Sequence, residues 1–321
     1  MKRNIFFYYA FILIMGFFAS VEKLNIKKYF PTDEQMKRFS FALNSGRSFA
    51  VNKNQIIFCD QYEGRFYEFN LNGDFIRTVG RQGQGPGEFN KPYKVFIYND
   101  EIYISDNGNG RIQIFSLKGE YLRQIKLAST VYDMVILDDK LFIGNPLTIL
   151  RTNKKSEMSI IEIYDLKGMI IKKINDPFPS SYATPIYSQT FSMQRVGDEI
   201  HLLQNRGQIY RIYDYQGEKK REFELQYNPL KDIEYKKLKY IFTYQCFYVF
   251  QNHIYASVAW RGKIAIFVFD MEGNIKKRLE IITDNKNEIN TVDCIQIIDG
   301  EKPLMYLLQT DPEHRFIIVE I

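Results

Sequence analysis

Cysteine, histidine and tryptophan are scarce in this chain of 321 residues, which contains three, three and one of them respectively. The three cysteines, Cys59, Cys246 and Cys294, cannot all pair with one another, and no CxxC or Cys/His spacing typical of a metal site is present. Each cysteine falls within a predicted strand, so we expect small, buried, hydrophobic side chains. Cys246 and Cys294 fall on neighbouring predicted strands, where they could approach each other.

The motifs of several enzyme classes are also missing. No G-x-S-x-G elbow, P-loop or H-E-x-x-H occurs in the chain. The glycine-rich string GRQGQGPG at 80–87 leads into a predicted strand and lacks the helix whose N-terminus would bind phosphate, so it predicts a loop. The net charge of +5 falls to +3 without Lys2 and Arg3, which is too small to indicate a nucleic-acid partner.

The first twenty residues have the pattern of an export signal. Lys2 and Arg3 precede an apolar run over 5–19, as in the n-region and h-region of such signals. A small residue is missing at the usual cleavage position, where Phe17 or Phe18 stands, and no cysteine follows that could carry a lipid. We therefore expect export to the periplasm or cell envelope and leave two alternatives open, cleavage and retention of 5–19 as a membrane tether.

Aromatic and β-branched residues dominate the remainder, residues 21–321, and favour strands over helices. Glycines recur at spacings of 46, 49, 49 and 56 residues, within the range of propeller blades. Each follows a strand that ends in an aromatic residue and supplies the positive φ of a tight turn. These turn glycines are Gly73, Gly119, Gly168, Gly217 and Gly273.

Six second strands align within this repeat, and a first strand precedes each of them, around Phe49, Val95, Met134, Met193, Cys246 and Cys294. The second strands are predicted at 55–60, 101–106, 140–145, 199–204, 253–258 and 304–309. The sixth repeat ends with its third strand at 315–321, which would leave an open edge. The segment 23–30 resembles the other fourth strands, so we predict that it pairs with 315–321. The fold class is therefore all-β, a six-bladed β-propeller with the last blade closed by the N-terminal strand.

Residues 80–125 resemble an NHL repeat, with a glycine-rich lead-in, Phe89 and Pro92, the spacing of Asp106, Asn109 and Arg111, and then Phe115 and Gly119. Residues 60–79 keep part of this pattern, and the other repeats share the strand order and the turn glycine. From the residues themselves, Asp106 is expected to accept backbone N–H groups in its loop and a charge-assisted bond from Arg111. Asn109 tolerates left-handed backbone geometry.

Strand alternation places the long connections on one face of the propeller, which we call the long-loop face. It comprises 81–92, 145–158, 175–190, 226–240 and 283–290. Long loops on one rim of a rigid scaffold are a common location of binding function. Within or beside these loops, the residue types that anchor interfaces are Tyr182, Tyr187, Tyr235, Trp260 and Arg261, with packing of the loops as the alternative role.

Two enzyme types among propellers of this shape provide alternatives. The amidating lyases of the NHL group hold zinc through histidines, but His201, His253 and His314 occupy non-equivalent places in the repeat. Lactonase-like propellers hold calcium in the channel. Here the matching oxygen ligands at the ends of second strands would be Asp60, Asp106, Asn145 and Asp311, which we more readily interpret as loop caps.

Basic residues recur just after the turn glycines, as at Arg77, Arg123 and Lys172, and fall on outer strands around the whole rim. Charge at such edges discourages edge-to-edge aggregation, and a ring of this kind forms no groove for a nucleic acid. The sequence therefore predicts an exported, monomeric, non-catalytic binding propeller without a cofactor, which recognises a protein, peptide or glycan. The alternative is a calcium-dependent lactonase-like or lyase-like enzyme with its site at the channel.

Overall fold

Nearly all regular structure is β-strand in the computed structural model, which describes residues 20–40, 43, 46, 48–146, 159–179, 189–226, 244–260, 263–282, 292–309 and 315–321. The described chain starts with strand β1 (Ser20–Phe30) and a short helix, α1 (Asp33–Arg38). The next strands form one four-stranded antiparallel sheet and a small parallel pair. They are β2 (Phe49–Val51), β3 (Gln55–Asp60), β4 (Arg65–Asn70) and β5 (Phe75–Val79), then the pair β6 (Arg81–Gln82) and β7 (Glu88–Phe89).

Three more four-stranded antiparallel sheets follow in chain order, each with its strands in sequential order. The second sheet contains β8 (Pro92–Tyr98), β9 (Glu101–Asp106), β10 (Arg111–Ser116) and β11 (Tyr121–Lys126). The third contains β12 (Asp133–Leu137), β13 (Lys140–Gly144), β14 (Ile161–Asp165) and β15 (Ile170–Ile174). The fourth contains β16 (Phe191–Val196), β17 (Glu199–Gln204), β18 (Ile209–Asp214) and β19 (Lys219–Glu224).

The last sheet has eight strands because β1 joins two groups of strands. One group is β20 (Cys246–Phe250), β21 (His253–Trp260), β22 (Lys263–Asp270) and β23 (Ile275–Ile282), and the other is β24 (Val292–Ile298), β25 (Leu304–Gln309) and β26 (Arg315–Glu320). The fold is thus all-β with a propeller-like arrangement of sheets. The sequence anticipated separate four-stranded units, and the structure joins two of them.

The predicted pairing of the N-terminal segment with the C-terminal strand is confirmed. The second half of β1 runs antiparallel to β26, with Phe30 opposite Phe316. The first half of β1 runs parallel to β23, with Ser20 opposite Lys277, which the sequence analysis did not anticipate. Ser20, the last residue of the predicted export signal, already belongs to this strand, and residues 1–19 lie outside the described residues.

The first strands of the repeats surround a central channel. β2, β8, β12, β16, β20 and β24 each contact the next in a closed ring, and β24 contacts β2 again. Six clusters of buried apolar side chains fill the spaces between neighbouring groups of strands. In the cluster beside β1, Phe30 stacks on Phe316 with ring centroids 4.7 Å apart and meets Phe69 edge-on at 5.5 Å. Burial of these faces fixes the order of the sheets around the channel.

The second strands have nearly the bounds that the repeat predicts. β3, β9, β17 and β25 agree residue for residue, β13 ends one residue earlier at Gly144, and β21 continues two residues further to Trp260. The turn glycines all have positive φ, between +74° and +90°, as predicted. Three residues before each glycine, a short polar side chain accepts backbone N–H groups; Asp214 Oδ1, for example, accepts from Gln216 and Glu218 at 2.9 Å each. This side-chain bonding fixes the turn.

Two local features of the backbone were not predicted from the sequence. Helix α1 was not predicted, although Thr32 and Gln35 form a capping box, a recognisable signal for the start of a helix. Asn109 lies in a 3-10 turn (Asn107–Asn109), and Gly110, which follows it, takes the left-handed conformation with φ +61°. Glycine adopts this conformation without the steric penalty that asparagine incurs.

Candidate functional site

The starts of the first strands β8, β12, β16, β20 and β24 lie around a polar cavity at one end of the channel, which we call the channel mouth. Its volume is about 70 Å³, and it lies on the long-loop face because each first strand starts where a connection from the preceding sheet arrives. The cavity is lined by Tyr93, Lys94, Tyr132, Asp133, Phe191, Ser192, Asn205, Gln245 and Asp293.

A larger cavity of about 350 Å³ follows the channel further inward. All six first strands contribute to its wall, which mixes apolar side chains such as Val95 and Met134 with polar ones such as Gln194 and Gln296. Lys94 and Asp133 line both this cavity and the channel mouth, so they lie where the two meet. A ligand that passes from the mouth into the inner cavity would meet this pair of charges.

Lys94 and Asp133 form an ion pair, with Lys94 Nζ 2.9 Å from Asp133 Oδ1. Asp133 is held in place by two backbone groups, since Oδ1 accepts from Met134 N at 2.7 Å and Oδ2 accepts from Met193 N at 2.9 Å. Burial by itself would lower the pKa of Lys94, but the opposite charge of Asp133 outweighs it, and the pKa is raised above its ordinary value. Lys94 is therefore a charged group at neutral pH.

Asn205 is the most constrained polar group of the mouth. It follows directly after β17, its backbone N–H donates to Thr190 O at 2.9 Å, and its carbonyl accepts from Tyr244 N at 3.0 Å. Its Nδ2 donates to the carbonyls of Tyr244 and Gln245, at 3.0 and 2.9 Å, and to Ser192 Oγ at 3.2 Å. Because backbone carbonyls only accept, this orientation of the amide is fixed, and Oδ1 has no hydrogen-bond partner.

A third cavity, of about 270 Å³, lies on the long-loop face beside the first and second sheets. We call it the rim groove. It is lined by Gln61, Tyr62, Gln82, Gly83, Gln84, Phe89, Asn90 and Lys91. Tyr62 is 69% exposed, which is unusual for so large an aromatic residue, and aromatic rings at such positions often make anchor contacts. The long-loop face thus carries two concave regions.

The structure shows how Asp60 and Asp106 are used. Asp60 Oδ1 accepts backbone N–H groups of Tyr62 and Glu63 at 3.0 and 3.1 Å. Asp106 is fully buried and accepts from Asn90 N at 2.7 Å and from Arg111 Nε at 2.8 Å. Asp60 therefore caps its own loop, as interpreted, and the predicted bond from Arg111 to Asp106 is confirmed. Asp106 makes no side-chain bond to the backbone of the loop that follows it, because its carboxylate accepts instead from Asn90 in the connection between the first and second sheets.

The other predicted ligands and the histidines lie at separate places or outside the described residues. Asn145 is buried after β13, and Asp311 and His314 lie outside the described residues. His201 is buried with Nδ1 2.8 Å from Tyr210 Oη, while His253 lies at the start of β21. Within the described part of the chain, no group of three or more His, Cys, Asp or Glu side chains is placed to hold a metal ion.

Of the predicted binding residues, one belongs to a described strand. Tyr182, Tyr187, Tyr235 and Arg261 lie outside the described residues, and Trp260 is the last residue of β21. The channel mouth was missed by the sequence analysis because its residues come from different repeats. An asparagine immediately after the second strand at 199–204 was the available signal for Asn205.

All three cysteines are free and buried, as predicted. Cys246 Sγ is 3.0 Å from Ser257 Oγ, and Cys294 Sγ is 3.9 Å from the carbonyl oxygen of Phe49. Burial raises the pKa of both thiols, so they are protonated at neutral pH.

The basic residues of the outer strands are matched by carboxylates. Arg77 Nε lies 2.7 Å from Glu68, Lys173 Nζ lies 3.1 Å from Glu162, and Lys277 Nζ lies 2.8 Å from Glu22 on β1. Arg123 and Lys276 have similar partners in Glu101 and Asp270. The rim therefore carries interspersed charges of both signs.

Comparison with known proteins places the chain in a family. Residues 25–313 match the model of a family described as a domain of unknown function, DUF4934. This chain belongs to the DUF4934 family. The match covers the propeller-like fold from within β1 to the segment before β26, so the family assignment concerns the whole fold. The family description assigns no activity to its members.

Two solved structures resemble the DUF4934 chain along nearly their whole length. A Bacteroides fragilis protein described as a candidate exported protein has 14% identity and a TM-score of 0.59, with 94% of this chain and 99% of that chain covered. A member of the DUF4221 family from Bacteroides vulgatus has 12% identity and the same TM-score, with 92% and 97% covered. At these identities the likeness shows the fold.

A local sequence match extends to a much larger protein. The human E3 ubiquitin-protein ligase TRIM32 is 34% identical over 74 residues, which are 23% of this chain and 11% of the human protein. A match to so small a part of that protein leaves its activity unassigned here.

No helix among the described residues is long and apolar enough to cross a membrane.

Proposed function

We propose that this chain is an exported, six-bladed β-propeller that binds a protein, peptide or glycan through its long-loop face and catalyses no reaction. The count of six rests on the closed ring of six first strands, in which the eight-stranded sheet contributes both β20 and β24. On this interpretation β1 belongs to the sixth blade through its pairing with β26 and also bridges to the fifth through β23. The bonded set of Asp106, Asn109 and Arg111 supports an NHL-like second blade.

The single observation that carries the binding function is the polar channel mouth. The strands supply a concave site whose lining includes an ion pair with a buried carboxylate and a hydrogen-bonded amide, an arrangement typical of ligand recognition. The rim groove with its exposed Tyr62 lies on the same face. Both features favour recognition on the long-loop face over the opposite face with its tight turns.

Export is supported by the sequence of the first twenty residues and by the candidate exported protein of the same fold. We propose a periplasmic or envelope-associated protein, monomeric, with 5–19 as either a cleaved signal or a tether. Localisation is tested by fractionating cells that produce the chain with a C-terminal tag. Recovery in the cytosolic fraction would contradict export.

Calcium-dependent hydrolysis has less support from the side-chain contacts. Asp60 and Asp106 were two of its four predicted ligands. Asp60 already accepts backbone N–H groups of its own loop, and Asp106 accepts from Asn90 N and Arg111 Nε. A cation would have to displace an arginine or several backbone N–H groups to use them. We therefore favour a binding module over an enzyme.

The binding proposal is tested with peptide and glycan arrays, followed by titration of each hit against variants. Tyr62→Ala and Tyr132→Ala alter the long-loop face, whereas Tyr215→Ala removes a 41% exposed tyrosine from a turn of the opposite face. We expect a long-loop variant to weaken a hit at least about tenfold and the control to leave it unchanged. Hits that depend only on Tyr215, or arrays without a hit, would contradict the proposal.

A further inference from the structure

The rim groove is built largely on a rigid connection, the one between the first and second sheets. Two buried side chains of β10 bond to the backbone of this connection. Arg111 Nη2 donates to the carbonyls of Gly85 and Glu88 at 2.8 Å each. Gln113 Nε2 donates to Glu88 O at 2.7 Å, and its Oε1 accepts from Gly87 N at 2.9 Å. A ligand of the groove therefore does not bear the entropy of ordering this loop.

Lys91, which lines the groove, has an unusual backbone conformation. Its φ is +57°, in the left-handed region that residues other than glycine and asparagine seldom adopt. The other described non-glycine residues with positive φ lie in the two-residue turns of the opposite face or just after α1. Strain of this kind outside a tight turn or helix end is found preferentially at binding and catalytic sites.

Tyr62 offers a flat apolar surface at the groove. Its exposed fraction of 69% is the highest among the large apolar side chains that the structure describes, so its ring presents a face to solvent. The carbonyl of Tyr62 accepts from Gln82 Nε2, which ties its turn to the rigid connection. C–H groups of a ligand can stack on such a ring. The other aromatic residue of the described lining, Phe89, is completely buried, so the groove offers no second apolar contact for the side chains of a peptide.

Amide groups make up most of the remaining lining, at Gln61, Gln82, Gln84 and Asn90. Each amide carries two N–H donors and a carbonyl acceptor, so it bonds to a hydroxyl group in either direction. The one charged side chain in the described lining is that of Lys91, and the neighbouring Arg81 is paired with Glu88 at 2.7 Å. An ionic ligand would thus find a single counter-charge, whereas an uncharged polyol finds donors and acceptors in equal supply.

The volume of the groove suits a small ring. About 270 Å³ lies just below the range of pockets for drug-sized ligands, about 300–1,000 Å³. One sugar ring would fill the groove, and the rest of a longer glycan would extend over the long-loop face.

We propose, building on the binding function above, that the rim groove is a saccharide subsite. A pyranose ring stacks with its C–H face on Tyr62, and its hydroxyl groups bond to the amides of Gln84 and Asn90. On this basis the long-loop face recognises a glycan rather than a peptide.

The test is calorimetric titration of the full chain with neutral hexasaccharides of glucose, mannose, galactose, xylose and N-acetylglucosamine. We expect at least one of them to bind with a Kd of about 1 mM or lower. In proton NMR spectra, the C–H protons on one face of the bound sugar should shift upfield, because they lie over an aromatic ring. A hexapeptide of alternating glycine and serine has comparable polarity without such a C–H face, and it should not bind.

Variants assign the effect to the groove. Tyr62→Ala should weaken the saccharide at least about tenfold, whereas Tyr62→Phe keeps the ring and should stay within about twofold. Gln84→Ala removes one amide and should weaken binding about two- to tenfold. Tyr215→Ala, in a turn of the opposite face, should leave the affinity unchanged. All three residues are exposed, so the variants should melt with the unmodified chain.

Three results would overturn the inference. They are the absence of binding by all five hexasaccharides, binding that Tyr62→Ala leaves unchanged, and binding that Tyr132→Ala in the channel mouth abolishes. The binding function fails separately, because a peptide from the arrays that depends on Tyr62 or Tyr132 supports it even when no saccharide binds.

Discussion

The N-terminal strand should be an integral part of the cooperative fold, and Phe30→Ala tests this directly. Phe30 is completely buried, stacks on Phe316 at 4.7 Å and contacts Phe69 edge-on at 5.5 Å. Truncation of a buried phenylalanine costs about 3–5 kcal/mol, because the transfer free energy is lost and a cavity remains. We expect a loss of this size in the free energy of unfolding.

Val21→Ala is the matched control on the same strand. Val21 is 55% exposed and lies in the half of β1 that pairs with β23, so its truncation should change the free energy by no more than about 0.5 kcal/mol. Urea denaturation followed by tryptophan fluorescence and by circular dichroism measures both variants. Their midpoints should differ while the slopes agree.

Two results would refute this reasoning. If Phe30→Ala loses no more stability than Val21→Ala, β1 does not close the ring in the way its contacts indicate. If Phe30→Ala produces a separate early transition and leaves the main one unchanged, β1 is a locally unfolding element and the rest of the sheets are stable without it.

Three further predictions concern single buried groups. Burial lowers the pKa of His201 to about 4 from an ordinary value of 6.5, so its contribution to stability is present above pH 6.5 and is lost as the pH falls toward 4. The loss in the free energy of unfolding is about 2 kcal/mol at pH 5. The melting temperature of His201→Gln should therefore depend less on pH than that of the unmodified chain, and an equal dependence would contradict this. Asp106→Ala leaves Arg111 buried without its carboxylate and should cost about 3–5 kcal/mol in chemical denaturation, whereas a loss below 1 kcal/mol would mean that the loop rearranges. Gly73→Ala places a Cβ 2.4 Å from the ring of Phe30, whereas the equally left-handed Gly197 has nothing within 4 Å, so Gly73→Ala should cost about 1–3 kcal/mol more than Gly197→Ala; equal losses would show that Phe30 yields to the methyl group.

The sequence by itself determined the strands, the turns and the closure of the chain. Alternating aromatic and β-branched residues with a glycine at a fixed place in each repeat are local features, and the strands at 101–106 and 199–204 accordingly have the predicted bounds. The pairing of 23–30 with 315–321 was also predictable, because an incomplete last repeat needs one strand and only a matching segment can supply it. The bond between Asp106 and Arg111 followed from their spacing within one loop.

Only the tertiary structure decided where the candidate site lies. Lys94, Asp133 and Asn205 belong to three different repeats, and nothing in the local sequence indicates that they line one cavity. The parallel pairing of β1 with β23 likewise depends on how far the two halves of the last sheet approach each other. Repeat patterns specify what each blade buries against its neighbours, since burial follows local periodicity. The contents of the central channel depend on the closure of the ring, which brings together the starts of strands that are far apart in the chain.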